Sequence, residues 1–275
     1  MGGSVLVTGA SSGIGEATVA ALIHNRFQVW ATVRKEVDEE RLLATYPHRV
    51  TVRRCDITDA DQVTALGAEV VARGGLDGLV SNAGIAVPSP LESLPLDQFR
   101  HQLEVNLVGQ LAVIQAVLPA LLRAQGRIVV VGSIGDRVAL PMLGAYHASK
   151  FGLLGLTDSL RAELAPSGVH VVLIEPGAVA TRIWSTGRDQ GEELLAATPR
   201  EATSRYQAQI DQTRTNALHA ADRGLPPSAV ANVIAKALTT RNPRPRYLVG
   251  RDAKIAAMIA RLPPRVRYRL TAART

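Results

Sequence analysis

The sequence predicts a single α/β domain, a doubly wound parallel sheet of about seven strands with helices on both faces. Three observations carry this. Short β-branched runs alternate with segments of helical period through most of the 275 residues. A glycine-rich turn joins the first run to the first helix, and polar or glycine residues recur where the runs end.

In chain order, strands are expected near 4–8, 27–33, 49–54, 77–81, 127–132, 169–174 and 246–249. Helices are expected near 14–25, 38–45, 59–73, 97–123, 145–165 and 227–240. Residues 182–224 break the rhythm: they are rich in Gln, Thr, Arg and Glu and too long for an ordinary connection, so they read as a lid. Residues 1–250 form the catalytic domain in this reading, and 251–275 a basic helical extension.

With 47% hydrophobic and 20% charged residues the chain can bury a large core, which excludes disorder and a membrane-spanning class. No charged leader with a long apolar run follows Met1, so the expected location is cytoplasmic. The only cysteine, Cys55, permits no intrachain disulfide and no cysteine-based metal site, and it reads as a small buried filler. The formal charge of +7 is local: residues 241–275 hold nine Arg and one Lys against the single Asp252, so the rest of the chain is slightly acidic. These basic residues lack the interleaved aromatics that stack on bases, and nucleic acid is not an expected partner.

Chemistry enters at Thr8-Gly9-Ala10-Ser11-Ser12-Gly13-Ile14-Gly15. Glycines after a strand and at a helix start let the backbone turn tightly beside a pyrophosphate, which the free N–H groups of the helix then hold. The match sits in a βαβ unit of about thirty residues, the context that makes it a dinucleotide fingerprint. Further strand ends carry Arg34, Asp56-Ile57, Asn82-Ala83-Gly84, Ser133 and Pro176-Gly177, all at the edge where open α/β sheets bind ligands.

Tyr146 and Lys150 stand at i and i+4, about 5–6 Å apart on one helix face. A cation about 4 Å from a phenolate is worth roughly 4 kcal/mol at an effective dielectric near 20, enough to bring a phenol toward neutral pH. Ser133 can hydrogen-bond the same substrate oxygen without changing charge.

With these motifs the chain resembles the short-chain dehydrogenase/reductase family, closely over about residues 4–181, in its single-domain Rossmann-type form. The resemblance implies an oxidoreductase in which Ser133 and Tyr146 hold the substrate oxygen, Tyr146 transfers the proton and Lys150 also binds the nicotinamide ribose. It implies that Asn106 holds a water linking Lys150 to solvent, that Asp56 contacts adenine, that Asn82 steadies the sheet beside the cofactor, that Thr181 meets the carboxamide, and that Val179 is among the cofactor-binding residues. It implies no metal, and a homodimer or homotetramer.

NADP(H) is preferred over NAD(H), because Val33 stands where an acid would grip the ribose hydroxyl. Arg34 can instead hold a 2′-phosphate, with Ser11 or Ser12 donating. Ile134, Val138, Leu140, Met142, Leu143 and Trp184 suggest an apolar pocket for a lipophilic alcohol or carbonyl compound. Two other classes stay open: a dinucleotide sensor without turnover, and a protein whose basic tail meets a membrane surface or nucleic acid. In the tail, Leu262, Val266 and Leu270 at i, i+4 and i+8 permit an amphipathic helix that packs on protein or on lipid.

Overall fold

A computed structural model of the chain describes residues 3–272. The first half runs β1 (Ser4–Val7), α1 (Gly13–His24), β2 (Gln28–Val33), α2 (Glu36–Thr45), β3 (Val50–Arg54), α3 (Ala60–Ala72), β4 (Gly78–Ser81), α4 (Leu96–Leu103), α5 (Gly109–Ala124) and β5 (Arg127–Val131). The second runs α6 (Gly144–Leu164), β6 (His170–Pro176), α7 (Arg182–Ala196), α8 (Arg200–Arg205), α9 (Gln207–Arg223), α10 (Pro227–Thr239), β7 (Arg246–Val249), α11 (Arg251–Ile259) and α12 (Pro264–Ala272). All seven expected strands form and pair in parallel in the order β3-β2-β1-β4-β5-β6-β7. The order reverses between β1 and β4, so their carboxyl ends open a crevice.

Strand pleating explains the long apolar runs. Val5 and Val7 point to one face, where α1 and α10 cover them with Val19, Leu22, Val230 and Ile234. Leu6 points to the other, under α3, α5 and α6 with Leu66, Ile114 and Leu153. Both faces are covered, so the buried middles of the central strands run apolar on both sides and strict alternation disappears.

Two expectations gain detail and a third is corrected. The helix expected over 97–123 is continuous but not uniform: α4 passes into a π-helical turn, Glu104–Val108, before α5. The extra residue in that turn re-aims Asn106, and such bulges are characteristic of functional positions. The segment 182–224 is three helices, its base closed by a parallel bridge between Val179 and Leu225. In the tail, Pro263-Pro264 separates α11 from α12 and leaves Leu262 outside both. Leu262, Val266 and Leu270 therefore form no buried stripe; they are 37%, 45% and 43% exposed, while Ala253 and Ala257 seat α11 on the body. Arg274 lies outside the described residues.

Candidate active site

At the first turn, Gly9 and Gly13 adopt φ of 64° and 57°, values that disfavour any side chain. A Cβ on Gly9 would lie 2.9 Å from Ala83 Cα, and one on Gly13 would lie 2.9 Å from Thr181 Cγ2. The glycines thus let the ends of β1 and β4 and the segment after β6 converge. Thr8 ties the first two together: its hydroxyl accepts from the Asn82 and Ala83 N–H groups at 2.9 and 3.1 Å. Asn82 Nδ2 donates back to the Thr8 and Gly9 carbonyls at 2.9 and 3.2 Å, joining the ends of β1 and β4.

The resulting groove runs from the start of α1 to α6. Gly9, Ser11, Ser12, Gly13 and Ile14 line one end, Arg34, Asp56 and Ile57 the side, Asn82, Ala83 and Gly84 the floor, and Pro176, Gly177, Val179 and Thr181 the far wall, which reaches Ser133, Tyr146 and Lys150. Thr8, Gly15 and Asn106 lie behind this surface and support it. A Cβ on Gly15 would collide with the Gly9 carbonyl, so its role is helix–turn packing. Bare backbone at the start of α1, which has no side-chain N-cap bond, is the cradle that a pyrophosphate requires. Beside it Arg34 is exposed and, among the described residues, takes part in no ion pair. Val33 is buried at the end of β2. The groove therefore fits a nicotinamide dinucleotide.

Asp56 is shaped by opposed causes: burial raises its pKa, but hydrogen bonds from the Thr58 N–H and hydroxyl, at 3.0 and 2.8 Å, with the charges of Arg34 and His101, leave it below the usual carboxylate range. Cys55 is buried and its thiol is pushed up to about 11, chiefly by burial, which suits an inert filler.

Three buried amides anchor the floor from the long helix, and the sequence reading found only one of them. Gln102, Asn106 and Gln110 recur at spacing four. Gln102 accepts from Val87 N and donates to the Ile85 carbonyl, at 3.1 and 2.6 Å. Asn106 accepts from Ile85 N at 2.8 Å and donates to the Ile85 carbonyl and to Ser149 Oγ at 2.9 and 3.0 Å. Gln110 accepts from Ser81 Oγ and donates to the Ala83 carbonyl, both at 3.0 Å. Three amides recurring at spacing four along one helix were the available signal.

Where the groove ends, a second, largely apolar cavity of about 590 Å³ begins. Ile134, Val138, Leu140, Met142, Leu143 and Trp184, the six residues expected to form an apolar pocket, all line it, joined by Ile210, Ile259 and Leu270 from α9, α11 and α12. Ser133 and Tyr146 belong to both spaces.

The electrostatics at this junction differ from the expectation that Lys150 lowers the Tyr146 phenol. Tyr146 is pushed up to about 12 by burial, against a hydrogen bond with Ser133 that lowers it. Lys150 is pushed down to about 8, again by burial, with Asp136 opposing. Its Nζ donates to the Val131 carbonyl at 3.1 Å and stands 5.8 Å from the Tyr146 ring centroid. Tyr146 and Lys150 are only 9% and 5% exposed, so for each the loss of water is the largest influence. Behind them Asp136 is buried and raised to about 8 by burial and by Glu175, whose carboxylate takes two bonds from Arg137 at 2.5 and 2.9 Å.

A sequence profile described as short chain dehydrogenase matches residues 4–192. The chain is 36% identical to a 3-amino-tetrahydro-pyrrolizinone reductase of Xenorhabdus hominickii, over 91% of this chain and 88% of that one. It is 37% identical to 17-beta-hydroxysteroid dehydrogenase type 1 of Homo sapiens, over 88% and 76%. A short chain dehydrogenase structure from Burkholderia cenocepacia J2315, in complex with NADP, superimposes with a TM-score of 0.77 at 26% identity, covering 98% of this chain and 97% of that one. The glycine groove, the parallel sheet and these likenesses agree: the chain belongs to the short-chain dehydrogenase/reductase family and is an oxidoreductase acting on CH–OH groups.

Proposed function

We propose that this protein uses NADP(H) to interconvert a secondary alcohol and a ketone, or a primary alcohol and an aldehyde, on a lipophilic small molecule. The observation that carries the reading is the meeting of a polar, glycine-lined groove and an apolar cavity at Ser133 and Tyr146. Bound in the groove, NADP(H) would supply or take up the hydride at the substrate carbon. The chain's own residues handle the oxygen. Ser133 holds it by a hydrogen bond, and Tyr146, protonated at neutral pH, gives its phenolic proton to the oxygen in reduction and takes it back in oxidation. Below about pH 8 Lys150 carries a charge that stabilises the phenolate formed as the proton leaves. Asn106, bonded to Ser149 next to Lys150, keeps the β4 end and α6 in register.

Preference for NADP(H) is supported by the unpaired Arg34 beside the groove, by buried Val33 in place of an acid, and by the NADP-bound structural relative. The lipophilic substrate is supported by the cavity lining and by the hydroxysteroid named for the human relative. We further infer a cytoplasmic homodimer or homotetramer. Leu96, Val108, Leu122 and Phe151 are exposed apolar residues on the α4 to α6 side, of the kind a second copy covers. The test is a panel of ketones and aldehydes followed at 340 nm with NADPH and NADH side by side. Turnover of apolar carbonyls with NADPH above NADH supports the reading, and turnover only of polar sugars or only with NADH overturns it.

A further inference from the structure

The residue after Tyr146 is a histidine that the proposed chemistry does not use. His147 is buried, and both ring nitrogens are committed to one loop, the 133–143 segment between β5 and α6. Nδ1 lies 2.8 Å from the Gly135 carbonyl oxygen, and Nε2 lies 2.9 Å from the Leu140 backbone nitrogen. A carbonyl only accepts and an amide N–H only donates, so the proton sits on Nδ1 and Nε2 is the acceptor. The neutral ring satisfies both partners, whereas a protonated ring would set a second N–H against Leu140.

That loop carries Ser133 at one end and lines the apolar cavity with Ile134, Val138, Leu140 and Met142. Its first turn closes on itself through Asp136 and Arg137, and its far end is held where Ser89 N donates to the Met142 carbonyl at 2.7 Å. Between them, the tether to α6 is the imidazole. Gly135 permits the approach: a Cβ there would lie 3.1 Å from both His147 Nδ1 and Tyr146 Cε1. The His147 ring also packs edge-on against the Tyr146 ring, with centroids 5.9 Å apart and planes at 71°.

We propose that His147 is a positioning residue: in its neutral Nδ1–H form it clamps the cavity loop to the helix bearing Tyr146 and so sets which substrates reach that residue. The inference rests on the proposed function, because the cavity is taken as the substrate site. Burial lowers the His147 pKa, opposed by the Gly135 bond, and no charged group contributes. Of the ionisable groups nearby, Tyr146 is on the same helix, and Asp136 on the adjoining turn lies against Gly132 and Glu175. Across the cavity the Asp252 carboxylate is taken by Ala178 N at 2.6 Å, and Arg223 pairs with Asp222. The clamp therefore holds at neutral pH and is lost as pH falls through a value below the ordinary histidine range.

The test uses the full chain, His147→Asn, which keeps a donor near the Nδ1 position, and His147→Gln, which keeps an acceptor near Nε2. Each variant is assayed with NADPH and alkyl phenyl ketones of increasing chain length, and the wild-type imidazole is titrated by nitrogen NMR. One lost hydrogen bond corresponds to roughly a three- to tenfold rise in KM for the long ketones, with kcat and NADPH affinity little changed. For the wild type, the long-ketone KM should rise as pH falls through the His147 transition, and His147→Gln should lack that rise. An Nε2–H or protonated ring at pH 7, or variants whose KM series and pH profiles match the wild type, would overturn the proposal. If the wild type turns over none of the ketones, the substrate reading has failed by itself and the NMR titration alone decides the clamp. If the variants do not fold, the tautomer and the wild-type pH profile decide it.

Discussion

Two side chains carry the sharpest tests at the scale of the residue. Arg34→Ala with Val33→Asp removes the phosphate partner and supplies the acid that a ribose hydroxyl prefers. A charge-assisted hydrogen bond is worth roughly 1.5–3 kcal/mol, so the ratio of kcat/KM for NADPH over NADH should fall by about ten- to a hundredfold. An unchanged ratio would refute Arg34. Asp136 makes a prediction about pH. Its folded pKa of about 8 lies above its ordinary value, so its contribution to stability is fully present below the ordinary carboxylate range and is lost as pH rises through about 8. Asp136→Asn, neutral throughout, should melt several degrees above the wild type at about pH 9 and lose most of that advantage near pH 4; equal gaps at both pH values would show that Asp136 is not protonated inside the fold.

How much was legible also divides at this scale. That Ser133, Tyr146 and Lys150 share one groove was legible because Tyr146 and Lys150 stand at i and i+4 and Ser133 ends a strand. The direction of the Tyr146 pKa was not. It depends on enclosure by β5, α6 and the turn at 134–136, which no spacing reveals. His147 carries no sequence signature, because its partners on Gly135 and Leu140 are backbone atoms.

Among the elements, the seven strands were read almost in place, because a parallel sheet buried on both faces writes itself as apolar runs ending in glycine or polar residues. The π-helical turn left no such trace. Its evidence is the set of amide pegs at Gln102, Asn106 and Gln110, which looks like mere polarity until the strand ends they grip are known. Gln110→Leu orphans Ser81 Oγ and the Ala83 carbonyl, at about 1–3 kcal/mol for each buried group left unpaired. We expect a melting point lower by roughly 2–4 °C per kcal/mol and weaker NADPH binding, because Ala83 lines the groove. A variant that melts lower yet binds NADPH as before would confine the amide to stability.

For the whole molecule, the basic tail is the feature whose meaning changed most. The sequence permits a tail helix packed on protein or on lipid; in the structure α11 is seated through Ala253 and Ala257, Asp252 latches it to the segment after β6, and Ile259 and Leu270 close the apolar cavity. Composition located the charge without revealing that the opposite side of the same helices walls a cavity. Truncation after Gly250 should raise KM for long ketones more than for short ones. Unchanged selectivity, with the full-length chain pelleting on anionic vesicles, would return the tail to the membrane.

The central claim is that the groove and the cavity meet at a proton donor, and Tyr146→Phe tests it most directly. In a single-turnover measurement with prebound NADPH and an apolar ketone that the wild type reduces, the variant should bind NADPH as the wild type does and lose all but about a hundredth to a ten-thousandth of the reduction rate, the range typical of removing a general acid. A variant that keeps more than about a tenth of the wild-type rate would contradict the account.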